Sequence, residues 1–330
     1  MEKLGIAITG SGSAVPKNTL TNEAMTQLVE TSDEWIATRT GIRQRRLALP
    51  SESLSMLATT AASQAIASAG IKATDLDLIL LATSTPDDLF GTACQIQAQL
   101  GATKAVAFDL TAACSGFVFG LVTASQYIKT GVYQNVLLIG ADILSRWVDW
   151  EDRRTCVLFG DGAGAVVLQG NQSDRLLGFS LKSDGTQNHY LNLAYAPSAQ
   201  ELLSDVNITK GHYQPITMNG KEVYRFAVQK VPEIIDKALF QANLTVDQID
   251  WLILHQANQR IIDSVAQRLN IPENKVISNL ANYGNTSAAS IPLALDEAVR
   301  QGKIKQNDII ATSGFGAGLT WGAAIFQWGR

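Results

Sequence analysis

"ASAGIKATDLDLILLA" (residues 67–82) aligns without a gap on "FQANLTVDQIDWLILH" (residues 240–255), with Ala69 over Ala242, Ile71 over Leu244, Leu76 over Ile249 and Asp77 over Asp250. Each stretch reads as a helix end, a turn, and then consecutive apolar residues, the pattern of a strand buried on both faces. The correspondence continues in the same order. "QAQLGATKAVAFDLTAACSG" (97–116) parallels "AQRLNIPENKVISNLANYGN" (266–285), and "GVYQNVLLIG" (131–140) parallels "GKIKQNDIIATSG" (302–314). Chance likeness between α/β segments does not keep one order three times. The chain therefore reads as an α/β protein of two duplicated halves, residues 1–170 and 171–330, each with a mainly parallel sheet and covering helices.

The duplication also predicts where chemistry collects, because ligand sites in open α/β sheets gather at the carboxyl ends of strands. With the halves packed about a pseudo-two-fold axis, the loop after "AVAFDL" faces the loop after "KVISNL". The first carries Cys114 in "DLTAACSGFVFG" (109–120), the second carries Asn285 in "NYGNTSA", and the strand "WLILH" ends on His255. Cys114 stands among small residues at a strand-to-helix elbow. Two readings of it remain open here: free cysteine is among the most buried residue types, and a helix N-terminus favours thiolate over thiol. His255 reads either as a residue closing a strand or as an imidazole partner for Cys114, since His189 and His212 lie in polar, turn-rich sequence. Cys94 and Cys156, in "TACQIQ" and "RTCVLFG", look like helix and strand interior and are assigned to packing.

Composition narrows the function. With 46% apolar and 17% charged residues over 330 positions, the chain has enough apolar material for a large core and a subunit interface. A formal net charge of −4 argues against nucleic acid as partner. Three cysteines without C-x-x-C or metal-ligand spacing fit a reducing compartment. The opening "MEKLGIAITGSGSAVP" reads as a first strand rather than a signal peptide, and no apolar run approaches a membrane span. A cytoplasmic location is expected.

Several local motifs admit two readings. "GSGSAV" (10–15) lacks the third glycine of a dinucleotide fingerprint and "GDGAGAVVLQG" (160–170) runs straight into a strand, so neither supports a nicotinamide site. "GFGAGLTWGAAIFQWG" (314–329) is an ordinary glycine-rich turn or a backbone aimed at an oxyanion. "TSDEWIATRTGIRQRR" (31–46) opens with a capping box, Thr31 and Glu34, and sets Trp35 one turn before Arg39. That pair suits a purine and its phosphates, and equally a tryptophan packed under an arginine stem. Basic residues in "KEVYRFAVQK" (221–230) and from Arg260 to Arg268 form helical faces suited to solvent or to an acidic protein.

Taken together, "TSDEWIATRTGI", "DLTAACSGF", "FGDGAGAVVL", "HQANQRI", "NYGNTSAASIP" and "GFGAGLTWG", in that order, resemble the β-ketoacyl-[acyl-carrier-protein] synthase III family, the condensing enzymes that start bacterial-type fatty acid synthesis. The resemblance runs essentially end to end. It implies a thiolase-like fold of five layers, α-β-α-β-α, a homodimer, and a Cys-His-Asn triad carried by Cys114, His255 and Asn285. Thiolases have a second catalytic cysteine in the terminal glycine-rich region and elongating synthases use two histidines. Here "GNTSA" supplies Asn285 and "GFGAG" holds no cysteine, which favours the initiating enzyme.

The implied reaction is a decarboxylative condensation of acetyl-CoA with malonyl-loaded acyl carrier protein through an acyl-cysteine. Acetyl-CoA is a substrate, and no metal or cofactor is expected. Backbone N–H groups of Cys114 and of Gly316, Ala317 and Gly318 would form the oxyanion hole; Ala317 stands where some relatives have glycine. By the same resemblance, Thr31, Trp35, Arg39 and Arg153 surround the CoA adenine and Asn258 lies along the pantetheine arm. Gln256, Ala257, Asn258, Gln259 and Arg260 form the carrier-protein docking segment, extended by Arg225 and Arg268. Phe90, in "DDLFGTACQ", shapes the acyl pocket across the dimer interface. The rivals are a priming synthase of a polyketide pathway, a 3-hydroxy-3-methylglutaryl-CoA synthase-like enzyme (whose glutamate these motifs lack), a cysteine hydrolase, and a non-catalytic carrier-protein binder. The acyl primer is left open.

Overall fold

Residues 4–330 are described by a computed structural model. Its frame is two five-stranded sheets. The first contains β1 (Gly5–Ala14), β2 (Leu78–Ala82), β3 (Val106–Leu110), β4 (Asn135–Ile143) and β5 (Asp161–Asn171), in the spatial order β1-β5-β4-β2-β3. The second contains β6 (Leu176–Ser183), β7 (Trp251–Leu254), β8 (Val276–Ile277), β9 (Ile309–Gly316) and β10 (Thr320–Gln327), in the order β6-β10-β9-β7-β8. Strand for strand, the two orders are the same.

The repeated residues do repeated jobs. Helix α2 (Leu54–Ala69) ends on Gly70 at φ 69°, and α5 (Gly220–Ala242) ends on Asn243 at φ 55°, left-handed caps at equivalent places. A single 3₁₀ turn follows each, Ala73–Asp75 and Val246–Gln248. Asp77 then accepts from the N–H of Asn135 where β4 begins, and Asp250 accepts from the N–H of Ile309 where β9 begins. β2 behind Asp77 is buried at every residue, as its unbroken apolar run predicts.

The sheets are more mixed than the sequence suggests. β5 and β10 run against their neighbours, so four strands in each sheet point one way, yet two of the four pairings are antiparallel. The short link Ala317–Leu319 between β9 and β10 forces this in the second sheet, since a parallel return needs a crossover of a dozen residues or more.

Five layers follow. α2 and α3 (Ala93–Leu100) cover the outer face of the first sheet, with Ala61, Ala65 and Ile96 packed on Ile79, Ile139 and Val167. α5 and α6 (Gln259–Arg268) cover the outer face of the second. Between the sheets lie α4 (Gly116–Lys129) and α7 (Ser290–Arg300), where Phe117, Leu121, Ile291 and Leu295 meet Leu138 and Val166 from one side and Ile253, Ile310 and Phe326 from the other. This middle layer positions the site, because both of its helices start at the level of the strand ends. The remaining helix used below, α1 (Asp33–Thr40), lies near α6.

Of the two cysteines assigned to packing, Cys156 holds that place and Cys94 does not. Cys156 is buried, but in a run of turns rather than a strand. Cys94 is exposed on the first turn of α3, beside the unpaired edge of β3, so it does not serve the core. That edge is apolar: Val106 and Phe108 are exposed, and Leu89 and Phe90 stand out on the loop before α3. Among the described residues no helix is long and apolar enough to cross a membrane, and no cluster of His, Cys, Asp and Glu is arranged to hold a metal.

Candidate active site

Cys114 follows β3 through Ala112 at φ −152° and Ala113 at φ 46°, then enters a 3₁₀ turn that runs into α4. The left-handed Ala113 makes the elbow and turns the thiol inward. Cys114 is only 7% exposed. Burial pushes its thiol up to about 12, with the Ser287 hydroxyl lowering it and the Asp142 carboxylate raising it. This departs from the thiolate expected at a helix N-terminus. In so dry a site, charging the sulfur costs more than the helix terminus returns.

His255 sits just past the end of β7, its N–H donating to the Ser313 carbonyl at 2.8 Å. Its ring stands edge-on to Phe315, 5.2 Å between centroids, and its Nδ1 lies 2.7 Å from Ser290 Oγ. Burial pushes the imidazole down to about 3, so it is neutral at physiological pH.

Asn285 is held by its backbone between Leu158 and Gly160. Its Oδ1 accepts from the Ser287 N–H at 2.9 Å, which commits the oxygen and leaves the Nδ2 donors without a partner among the described residues. The polarity of the amide is thereby set, donors toward the open side.

Cys114, His255 and Asn285, distant in sequence, line one cavity of about 430 Å³ together with Phe315 and Gly316. Its other end reaches Trp35, Arg39, Arg153 and Arg260. A second cavity of about 570 Å³ also reaches Cys114 and has an apolar wall of Leu89, Leu144, Trp147, Leu191, Leu193 and Ile216. The sulfur thus stands between a passage with a basic mouth and an apolar chamber.

The glycine-rich turn packs against the Cys114 backbone. A Cβ on Gly316 would lie 2.8 Å from the Cys114 amide nitrogen and 3.0 Å from its Cβ. Gly316→Ala should therefore displace the Cys114 amide and slow acylation roughly 100-fold, the usual loss for one oxyanion donor; stopped-flow release of the thiol leaving group measures it. Ala317 and Gly318 line the apolar chamber.

At the basic mouth, the guanidinium of Arg39 lies 4.6 Å and that of Arg153 5.1 Å from the centre of the Trp35 ring. The expected capping box does not form, and a simple N-cap one residue later replaces it. Ser32, not Thr31, caps α1, its Oγ accepting from the Trp35 N–H, and the Thr31 hydroxyl is buried without a partner among the described residues. Asn258 caps α6 through Oδ1 and donates from Nδ2 to the Arg39 carbonyl, tying the two helices of the mouth together.

The segment 256–260 divides. Gln256 is 1% exposed. Its amide donates to the Leu254 carbonyl and accepts from the Asn279 N–H, so it is removed from the docking surface. Ala257, Asn258 and Gln259 are half-buried, while Arg260, Arg225 and Arg268 are exposed. Phe90 is fully exposed and touches neither cavity of its own chain.

Sequence reasoning missed Ser290, although it lies inside "NYGNTSAASIP", because a serine opening a helix carries no sign of the imidazole it will meet. It also passed over Leu191, Leu193, Tyr213 and Ile216, which wall the chamber from a long excursion whose hairpin, Tyr195–Leu203 with Val206–Tyr213, is mostly exposed.

Comparison with known proteins gives a consistent result. A model for 3-oxoacyl-[acyl-carrier-protein] synthase III matches residues 108–185, and the model for the C-terminal part of the same family matches residues 239–328. The chain is 84% identical, over 330 residues and the whole of both chains, to the beta-ketoacyl-[acyl-carrier-protein] synthase III of Trichormus variabilis. It is equally similar, with the same coverage, to the enzyme of that name from a Nostoc species. Among solved structures, the 3-oxoacyl-[acyl-carrier-protein] synthase III of Aquifex aeolicus superposes with a TM-score of 0.90 at 44% identity, over 98% of this chain and 100% of that one.

Proposed function

Because the chain belongs to the 3-oxoacyl-[acyl-carrier-protein] synthase III family, we propose that Cys114, His255 and Asn285 are the groups with which it carries out that family's condensation. The protein is an acyltransferase, an initiating condensing enzyme of fatty acid synthesis. The reading of its site rests on one observation: a buried thiol shares a cavity with a neutral imidazole and with an amide whose Nδ2 donors have no partner among the described residues.

Acetyl-CoA enters by the basic mouth, its adenine against Trp35 with Arg39 and Arg153 on the phosphates, and its pantetheine arm passes Asn258. Cys114 Sγ attacks the thioester carbonyl. The Cys114 proton leaves as the new C–S bond forms and ends on the departing CoA sulfur, so one thiol replaces another. The backbone N–H of Cys114 and those of residues 316–318 hold the oxyanion. Malonyl-loaded carrier protein then docks on Arg260, Arg225 and Arg268, whose charge suits an acidic partner. Loss of CO₂ places negative charge on the malonyl thioester oxygen, where His255 Nε2–H and Asn285 Nδ2–H donate. The α-carbon attacks the acetyl-cysteine and leaves as acetoacetyl-carrier protein, while the C–S bond breaks to release the Cys114 thiolate, which takes a proton from solvent to restore the thiol. The scheme asks for no cofactor, since two neutral donors supply the electrophilic assistance.

The remaining assignments belong to the same reading. A homodimer formed across the β3 edge would cover Val106, Phe108 and Cys94 and carry Phe90 to the partner's acyl chamber, and the exposure of those residues supports it. A division close to 170/171 is supported by the strands, since the last strand of the first sheet ends on Asn171 and the second sheet begins at Leu176. A cytoplasmic location fits three unpaired cysteines.

The test is intact mass. Brief exposure to acetyl-CoA should add a single acetyl group, and a chase with malonyl-carrier protein should remove it as CO₂ appears. An adduct that survives the chase would point to another nucleophilic partner, and no adduct, with longer acyl-CoA thioesters also tried, would leave a binding protein on this fold.

A further inference from the structure

We infer that Ser290 is a positioning residue that fixes the tautomer of His255, so that the imidazole offers an N–H, and not a lone pair, to the cavity it shares with Cys114. The inference deepens the reading of the site given above and rests on it.

The argument is hydrogen-bond accounting. Ser290 opens α7 and is 1% exposed, and His255 is 2% exposed, so neither group has bulk water to correct a mismatch. A serine hydroxyl has one proton and two lone pairs. Among the described residues two groups lie within hydrogen-bond distance of Ser290 Oγ: the Gln256 N–H at 3.3 Å and His255 Nδ1 at 2.7 Å. The first is a donor and takes one lone pair. The hydroxyl proton then has a single acceptor within reach, His255 Nδ1. Were Nδ1 protonated instead, the Ser290 oxygen would receive two N–H groups while its own proton pointed at nothing, the costly arrangement for a buried group.

With Nδ1 accepting, the proton of the neutral ring sits on Nε2. That nitrogen has no protein partner among the described residues, and the ring lines the cavity with Cys114 and Asn285. Burial, which holds the imidazole near 3, keeps the ring neutral and so leaves the tautomer as the deciding variable. Phe315 against the ring limits rotation that would exchange the two nitrogens. Asn285 is oriented by the same logic, its oxygen committed to the Ser287 N–H. The helix that starts at Ser290 and the turn before it therefore set the polarity of both donors. In the resting site His255 is a hydrogen-bond donor and is not placed to take the Cys114 proton.

Isotope-edited NMR of the histidine ring nitrogens, in the full-length protein, reads the tautomer without any turnover. With three histidines in the chain, a His255 variant assigns the signal. The expected result is an unprotonated Nδ1 and a protonated Nε2 in the wild type; a protonated Nδ1 overturns the inference outright. Ser290→Ala should shift the ring toward the other tautomer and lower the condensation step roughly 10- to 100-fold, the usual effect of losing an orienting partner. Acetylation of Cys114 should stay within about twofold. Ser290→Thr, which keeps the hydroxyl, should restore both tautomer and condensation. Equal losses in the two half-reactions with an unchanged tautomer, or no loss in condensation, would overturn the inference. Failure of the wild type to acetylate at Cys114 would instead remove the reading on which it rests, so the two failures are distinguishable.

Discussion

Replacing Cys114 by alanine should abolish the acetyl adduct and lower condensation by roughly 10⁴- to 10⁶-fold, the scale seen when the nucleophile of a cooperating set is removed. The loss is that large because no other thiol can substitute. Cys156 is buried and lines neither cavity, although Val157 and Leu158 beside it do, and Cys94 lies on the outer helix layer. The fold should change little, since only one small atom is removed from a site that already opens onto two cavities. The informative readout is decarboxylation. His255 and Asn285 remain in place, so the variant should still release CO₂ from malonyl-carrier protein while making no acetoacetyl product. Loss of CO₂ release together with the adduct would mean that the donors act only through the sulfur. Radiometric CO₂ release beside intact mass separates the two outcomes.

The second large effect concerns those donors. His255→Ala and Asn285→Ala should each lower condensation by roughly 10²- to 10³-fold, the range for one preorganised donor to a developing oxyanion. Each should leave Cys114 acetylation largely intact, and the double variant should lose less than the product of the two because the donors share one oxygen. Asn285→Asp should be at least as damaging as alanine, since it would set a carboxylate beside the enolate. No limb of the pH profile of condensation near neutrality should belong to His255, because the ring stays neutral down to about pH 3. The same depression sets the sign of its effect on stability. Between its ordinary value of 6.5 and about 3, the unfolded chain binds a proton that the folded chain refuses, so stability is lost as pH falls through that window and none is lost above it. Asp142 and Asp161 act in the opposite direction. Burial raises both carboxyls in the folded state, and their contribution declines as pH rises past 3.8. Melting temperatures of wild type and His255→Ala across pH 4 to 7 isolate the histidine part.

What could be seen in the sequence was what repeats or carries charge at a regular spacing. The aspartates at 77 and 250 and the left-handed caps at 70 and 243 recur because each half needs the same strand started at the same place. The meeting of Cys114, His255 and Asn285 was legible from that repeat as well as from the family motifs, since equivalent strand ends face one another. The errors came from burial, which is a property of the assembled chain. Gln256 reads as surface in "HQANQR", and only the turn at Asn279 closes over its amide. The Cys114 thiol reads as activated until the cavity walls exclude water from it. Thr31 and Ser32 are equally good caps on paper, and the extended φ/ψ at Ser32 decides between them.

The matching strand orders also say something about history. The strand end that carries His255 in the second half carries Ala82 in the first, and the place of Cys114 in the first half is held by Tyr283 in the second. Each half thus lacks what the other has. On the reading proposed above, the copies specialised, one holding the sulfur that attacks and the other the groups that donate hydrogen bonds to the developing charge. Catalysis here is a partnership between former equals, and a change that loosens the packing of one half on the other would silence the enzyme with every reacting group still in place.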